Sequence, residues 1–309
     1  MLPIRLRDFI EDRDGCLYAV SAYDNTDRVG CVLRYVPEPG GERGHPSGRR
    51  YAKYDFDEAF CYIARRKPHY IDLIHRVPQS DICRILKPEQ EMISVIGRDE
   101  RVRKLDRLLE LVPGSAGCTG SLLCSLEDES SDIDLVVYGR EWFHVQDRLR
   151  RLIQEGILED LDDAMWRRVY GKRKPEIRYE EFFLHEQRKW NRGQIDGTYF
   201  DLLYSRSYDD LGVLPGGRGI PEGKITITAR VTDASLAFDS PAVYEVDHGK
   251  IQRVLSFTHT YSGQAQEGEE IEACGICERH GREYWLIIGT TREAKGEYIL
   301  SRTLLDREG

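Results

Sequence analysis

The sequence predicts an α+β protein in three parts, and three observations carry that prediction. Strand-like and helix-like segments alternate through the middle of the chain, short β-runs divided by turn residues fill its end, and a glycine- and proline-rich stretch, Leu211 to Gly223, separates the two regions. The expected parts are a small α+β amino-terminal module (1–95), a core (96–210) and, beyond a linker (211–222), an all-β domain (223–309). At roughly 100 to 200 residues per domain, 309 residues accommodate them.

In the first part, Gly15 to Pro37 reads as two β-runs around the polar turn Asp24-Asn25-Thr26-Asp27, and a loop rich in Gly, Pro and Arg follows. Asp55 or Asp57 caps a helix through Phe60, Ile63 and Ala64, after which Pro68, Pro78 and Pro88 cut the chain into short pieces. In the core, Val102, Leu105, Leu108, Leu109 and Val112 fall at helical spacing between Arg98 and Val112. Ile133 to Tyr138 and Tyr199 to Tyr204 are β-runs, and Trp142 to Ile157 is helical. Past the linker, KITITARV, AVYEV, IQRVLSFT, EIEACGIC, EYWLIIG and EYILS are short β-runs at the spacing of a small OB-like barrel.

The 45 Lys and Arg against 54 Asp and Glu give a net charge of -9, which excludes a uniformly basic nucleic-acid binder. The acidic excess lies in the core and the tail: up to Val95 there are 15 basic and 15 acidic residues, from Ile96 to Pro215 there are 19 and 24, and beyond that 11 and 15. Eight cysteines, mostly in apolar stretches, suit a reducing cytoplasm, and neither an apolar leader nor a span of about 18 apolar residues is visible. The expectation is a cytoplasmic protein with no membrane partner. Two asparagines and three methionines beside heavy charge are a thermophile's bias.

The chemistry concentrates in Thr119-Gly120-Ser121-Leu122-Leu123 and, ten residues after Ser121, in Asp132-Ile133-Asp134-Leu135. On a strand the side-chain period is two, so Asp132 and Asp134 share one face while Ile133 and Leu135 bury the other. Two carboxylates that close repel unless a cation lies between them, and Mg²⁺ (or Mn²⁺) takes such oxygens together with substrate phosphates. Gly120 and Ser121, between a short strand and a helical turn, offer N–H groups and a hydroxyl to a terminal phosphate. Asp201, flanked by strand-forming apolar residues, needs a cation or a strand end.

These residues resemble the DNA polymerase beta-like nucleotidyltransferase superfamily. Its pattern is Gly-Gly or Gly-Ser, about ten residues, Asp-hydrophobic-Asp-hydrophobic and a third acid on a later strand; Gly120-Ser121, Asp132 with Asp134, and Asp201 fill it. The resemblance spans roughly Arg98 to Asp210, and the three-part arrangement also looks like that of uncharacterised archaeal proteins. It implies a nucleotidyltransferase core in which Asp132, Asp134 and Asp201 are catalytic and hold two metal ions. Gly120 and Ser121 would clasp the phosphates of an NTP, and the acceptor hydroxyl would belong to RNA or another nucleic acid. The alternatives are nucleotidylation of a protein or small hydroxyl compound, and a non-catalytic nucleic-acid-binding protein that keeps the fold.

Weaker signals complete the expectation. Arg188, Lys189 and Arg192, just before Asp201, are candidates for the triphosphate, as is the cluster Arg167, Arg168, Lys172, Arg173 and Lys174. Phe257, His259 and Tyr261 at a period of two, with Tyr284 and Trp285, are candidates for stacking single-stranded bases, with Arg253 and Arg292 on phosphates. Cys274, Cys277 and His280 are half a zinc pattern and read better as core. Arg49, Arg50, Tyr51 and Lys53 beside the glycine-rich loop are candidates for a polyanion contact but read mainly as exposed or structural, and Asp196 is the reserve for Asp201.

Overall fold

The structure, a computed structural model, describes residues 2–212, 218–291 and 294–308. It is an α+β protein whose residues 1–160 and 191–214 make one compact unit and 161–190 with 215–309 another. The module and the core, read from sequence as two parts, share the first unit; part of the linker, 213–217, lies outside the described residues.

Local turns build the first sheet. β1 (Phe9–Asp12), β2 (Leu17–Val20), β3 (Arg28–Pro37), β4 (Arg43–Gly44), β5 (Arg50–Lys53), β6 (His75–Pro78) and β7 (Ile82–Leu86) assemble in the order β4-β5-β3-β2-β1-β7, with β6 also on β3. Asn25 closes the β2–β3 turn: its amide donates to the Ala22 carbonyl (2.7 Å) and accepts from the Gly30 N–H (3.0 Å). Ile10, Tyr18, Cys31 and Leu33 pack on Ala59 and Ile63 of α1 (Phe56–Arg66), which Asp55 and Glu58 cap reciprocally. Phe9, Leu17 and Tyr35 belong to a second cluster. The register slips between Leu17 facing Tyr35 and Tyr18 facing Leu33, so Arg34 is the extra residue of a bulge.

The helix expected between Arg98 and Val112 runs from Glu100 to Leu109, and a further helix, not expected from the sequence, precedes it. α2 (Pro88–Arg98) begins on a proline, whose missing N–H costs nothing at the first helical position. Asp99 then breaks the run, and its carboxylate accepts the Arg101 N–H (2.9 Å) to cap α3 (Glu100–Leu109). β8 (Ala116–Cys118), α4 (Gly120–Cys124), β9 (Ile133–Tyr138), α5 (Glu141–Gln154), β10 (Arg192–Ile195) and β11 (Thr198–Ser205) follow within this unit. Their sheet has the order β10-β11-β9-β8, with β9 and β11 parallel. Ile133, Leu135 and Leu202 are buried on its far face, as are Leu105, Trp142 and Leu149 of the helices.

A buried polar seam joins the first sheet to the core. The Arg5 guanidinium contacts Glu89 (2.9 Å) and lies 3.5 Å and 3.9 Å from the ring centres of Tyr138 and Tyr208, whose hydroxyls both donate to Glu89. Lys87 pairs with buried Asp8 at 2.7 Å, and burial outweighs that pairing, lifting the Asp8 carboxyl to about 6. The Leu6 and Arg7 carbonyls accept from the Ser205 and Thr119 hydroxyls.

In the second unit, α6 (Asp163–Arg173) and α7 (Tyr179–Gln187) group with β12 (Ile220–Leu236), β13 (Ala242–Asp247), β14 (Arg253–Ser256), β15 (Glu270–His280), β16 (Glu283–Ile288), β17 (Tyr298–Ser301) and α8 (Arg302–Glu308). All six expected β-runs are strands. Their order is β12-β13-β14-β16-β15-β17, and β12 also pairs with β15, so the sheet returns on itself. No helix among the described residues is long and apolar enough to cross a membrane.

Two consequences for stability follow. His75 and His185 are buried and each accepts a backbone N–H, from Leu33 (3.1 Å) and Ser301 (2.9 Å), and burial pushes both imidazoles down to about 4. Each stays neutral in the fold while its unfolded counterpart charges, so stability present above about pH 6.5 drains away as pH falls toward 4, by up to about 3 kcal/mol per residue. Urea denaturation at pH 7.5 and 4.5 checks this, and equal midpoints would refute it. Arg5→Ala leaves Glu89 buried without its cation and should cost about 3 kcal/mol or more at neutral pH, read by the same denaturation.

Candidate functional site

β9 and β11 lie side by side with Asp134 in register with Asp201, and parallel partners project from the same face of a sheet. Asp132 immediately precedes β9, two residues before Asp134, and is exposed, whereas Asp134 and Asp201 are half-buried. The register sets Asp134 beside Asp201, and Asp132 lies two residues ahead of Asp134. Asp201 already has a cation: Arg192, its register partner on β10, lies 3.6 Å away. Among the described residues, no group of three or more His, Cys, Asp or Glu is placed to hold a metal ion by itself.

Opposite the strand, Gly120 opens α4 with φ +68, a left-handed backbone that favours glycine. A Cβ there would fall 2.7 Å from Oδ2 of Asp134, so the absent side chain is what lets the carboxylate lie against the loop. The loop is positioned from several directions. Thr119 N–H donates to the Asp134 carbonyl (2.9 Å), and Arg98 donates to the Leu122 carbonyl and pairs with Glu127 (2.8 Å). Arg43, from β4, pairs with Asp128 (2.6 Å) and donates to the Ser131 hydroxyl (3.1 Å), fixing the approach to Asp132.

Gly120, Ser121, Asp132, Asp134 and Leu203 line one side of a cleft of about 350 Å³ whose other wall comes from the amino-terminal module; Asp201 is not among its lining residues. That wall contributes Arg7, Arg34, Arg43 and Lys53. A groove of about 490 Å³ along Ile82, Ile85 and Ile4 is larger, yet no carboxylate lines it, so the smaller cleft is the candidate site. Acids facing cations across a small space suit a ligand that carries both a divalent cation and negative oxygens.

No family model and no solved structure matches this chain. It is 35% identical, over an alignment of 337 residues that takes in 96% of this chain and 99% of the other, to "Uncharacterized protein MJ1086" of Methanocaldococcus jannaschii. The chain belongs to that archaeal protein's family.

Several sequence candidates are engaged elsewhere. Lys189, expected on phosphate, is 1% exposed and bonds Glu186 and the Thr260 carbonyl (2.9 Å). Arg188 forks onto Glu269 (2.7 and 3.0 Å); both cations are neutralised inside the second unit, which corrects their assignment to the triphosphate. In the other basic cluster Arg173 pairs with buried Glu186 (3.1 Å) and Arg167 with Asp163 (2.9 Å).

The stacking surface expected in the β-domain is also corrected. β14 stops at Ser256 and residues 259–261 form a single 3₁₀ turn, so the period-two stripe does not exist. Tyr261 is 1% exposed, with its oxygen accepting the Glu176 N–H (3.3 Å), and Trp285 is buried under His280 at a ring separation of 3.7 Å. Phe257 is exposed at 55%. Cys274 and Cys277 are buried free thiols, and Arg292 lies outside the described residues. Asp196 occupies the β10–β11 turn beside Gly197 and pairs with Lys104 (2.6 Å).

Sequence reasoning missed Arg7, Arg34 and Arg43 altogether and weighed Lys53 as a polyanion contact while favouring an exposed or structural role. Lone arginines on a β-strand carry no local signal; the one available sign was Arg34, a cation inside the otherwise apolar run Val32 to Val36. Gly120→Ala should displace the Asp134 carboxylate and cost about 1–2 kcal/mol through the strained φ. Denaturant midpoints against the parent check it, and an unchanged midpoint contradicts the close approach.

Proposed function

We propose that this protein is a metal-dependent nucleotidyltransferase of the polymerase beta-like superfamily, moving an NMP from an NTP to an acceptor hydroxyl. The observation that carries the reading is the register of Asp134 with Asp201 across β9 and β11, with Asp132 on the same face and Gly120-Ser121 against Asp134. The donor set fits Mg²⁺, a hard cation that takes one or two carboxylates and completes its shell with water and substrate phosphates. A metal ion held by these acids would polarise the transferred phosphoryl group and lower the pKa of the attacking hydroxyl. Asp132 and Asp134 bind on the nucleotide side, Ser121 and the adjoining N–H groups orient the terminal phosphates, and Asp201 faces the acceptor.

The carboxy-terminal sheet supports an OB-like reading. Taken in chain order its first five strands pair as 1-2-3-5-4, with the first returning to the fourth, the order of a five-stranded Greek-key barrel. Of the five aromatics considered for base stacking, Tyr261 and Trp285 are buried, Tyr284 is half-buried and Phe257 and His259 are exposed, so an RNA acceptor rests on this reading of the ring rather than on a stacking platform. A second reading, a nucleotide-binding protein without transferase activity, is favoured by one contact, the Arg192 guanidinium beside Asp201.

The test is to incubate the full chain with each α-labelled NTP, Mg²⁺ or Mn²⁺, and separately with total RNA and with protein extract. We expect label in one fraction and none in EDTA. Asp134→Asn and Asp201→Asn should each lower transfer more than about a hundredfold, the loss typical of a group that stabilises the transition state. Transfer at the parent's rate by Asp134→Asn sinks the reading; NTP binding without transfer in any fraction moves it to the non-catalytic protein.

A further inference from the structure

We propose that the amino-terminal sheet supplies an anion subsite for the polyphosphate chain of the substrate, centred on Arg34. The identity of the ligand rests on the nucleotidyltransferase reading; the subsite itself rests on the cleft. Arg34 is the extra residue of the β2–β3 bulge, and its half-buried side chain lines the cleft opposite Gly120 and Asp134. Among the described residues no carboxylate or carbonyl pairs with its guanidinium. A partly desolvated guanidinium without an acceptor is costly, and a phosphate oxygen pair is the partner its planar fork fits best.

Arg34 does not act alone. Arg7, Lys53 and Arg43 line the same cleft, and Arg43 pairs with Asp128 and donates to Ser131. With Arg43 set against Asp128, the lining holds three cations, Arg7, Arg34 and Lys53, against the two carboxylates Asp132 and Asp134, a local excess of positive charge in a chain whose net charge is -9. Low-dielectric walls concentrate that field. A space of about 350 Å³ suits a small anion, and a polyphosphate satisfies both walls at once: oxygens turned to the acids share a divalent cation with them, and those turned to the sheet meet Arg34, Lys53 and Arg7. The module is then part of the binding site and not an appendage to it.

Calorimetric titration of the full chain with sodium tripolyphosphate in EDTA isolates the subsite from the metal. We expect saturable binding that Arg34→Ala weakens by roughly tenfold or more, with Arg34→Lys recovering part of the loss. Asp134→Asn should bind the metal-free probe as tightly as the parent or more tightly, since it removes a repelling charge. Thermal melts followed by circular dichroism establish that each variant is folded, and Lys53→Ala, at an exposed position, repeats the test where folding is not at stake. No binding by the parent, or equal affinity in folded Arg34→Ala and Lys53→Ala, overturns the subsite. So does an Arg34-dependent affinity for a single-stranded oligonucleotide that tripolyphosphate cannot compete away. If Arg34-dependent tripolyphosphate binding persists while no NMP is transferred to any acceptor, the subsite stands and the transferase reading alone falls.

Discussion

The sandwich of Arg5 between Tyr138 and Tyr208, closed by Glu89, is the contact on which the first unit depends. Its four residues come from the chain's beginning, from α2, from the end of β9 and from the segment after β11, so it gathers parts that share no secondary structure. A charge taken out of water needs a partner of opposite sign, and here two hydroxyls and a guanidinium converge on one carboxylate. Because the next residues, Leu6 and Arg7, hang their carbonyls on Ser205 and Thr119, the same anchor sets how the first sheet faces Gly120. The cleft inherits its width from this seam.

Cations in this protein divide into those that hold structure and those that face the cleft. Arg188, Lys189 and Arg173 are spent on Glu269 and Glu186, where they neutralise carboxylates that would otherwise be buried alone. Arg43 stands between the two kinds, since its partners Asp128 and Ser131 lead directly into Asp132. Arg34 belongs wholly to the second kind. Charge density along the sequence says nothing of this division, which is decided by whether an acid waits within reach in the folded chain.

What was legible in the sequence was local. The capping pair Asp55 and Glu58, the Asn25 turn, the alternation around Asp132 and Asp134 and the six carboxy-terminal strands all depend on residues within a few positions of one another. Pro88 misled because the same residue that breaks a helix in its interior starts one at its first position. The second shortfall was contact over distance: Glu269 lies 81 positions from Arg188, and Thr260 lies 71 from Lys189. Tyr261 and Trp285 show a period or a pairing that either solvent or core would produce, and only the packed sheet decides. Arg34 was hidden by a register slip, which shifts a side chain out of the expected alternation without altering composition.

The interleaving of the two units sets an order of events while the chain is being made. The first unit's central strand pair is complete once β11 has emerged at Ser205, by which time α6 and α7 have already left the ribosome. The partners that hold the end of α7, Thr260 for Lys189, Glu269 for Arg188 and Ser301 for His185, are translated last. For that interval the nascent protein carries a finished cleft and an unfinished helix pair in which Arg188 still awaits Glu269. A chain cut at the glycine- and proline-rich stretch would be arrested there for good: what reads as a natural seam along the polypeptide runs through the middle of a folding unit.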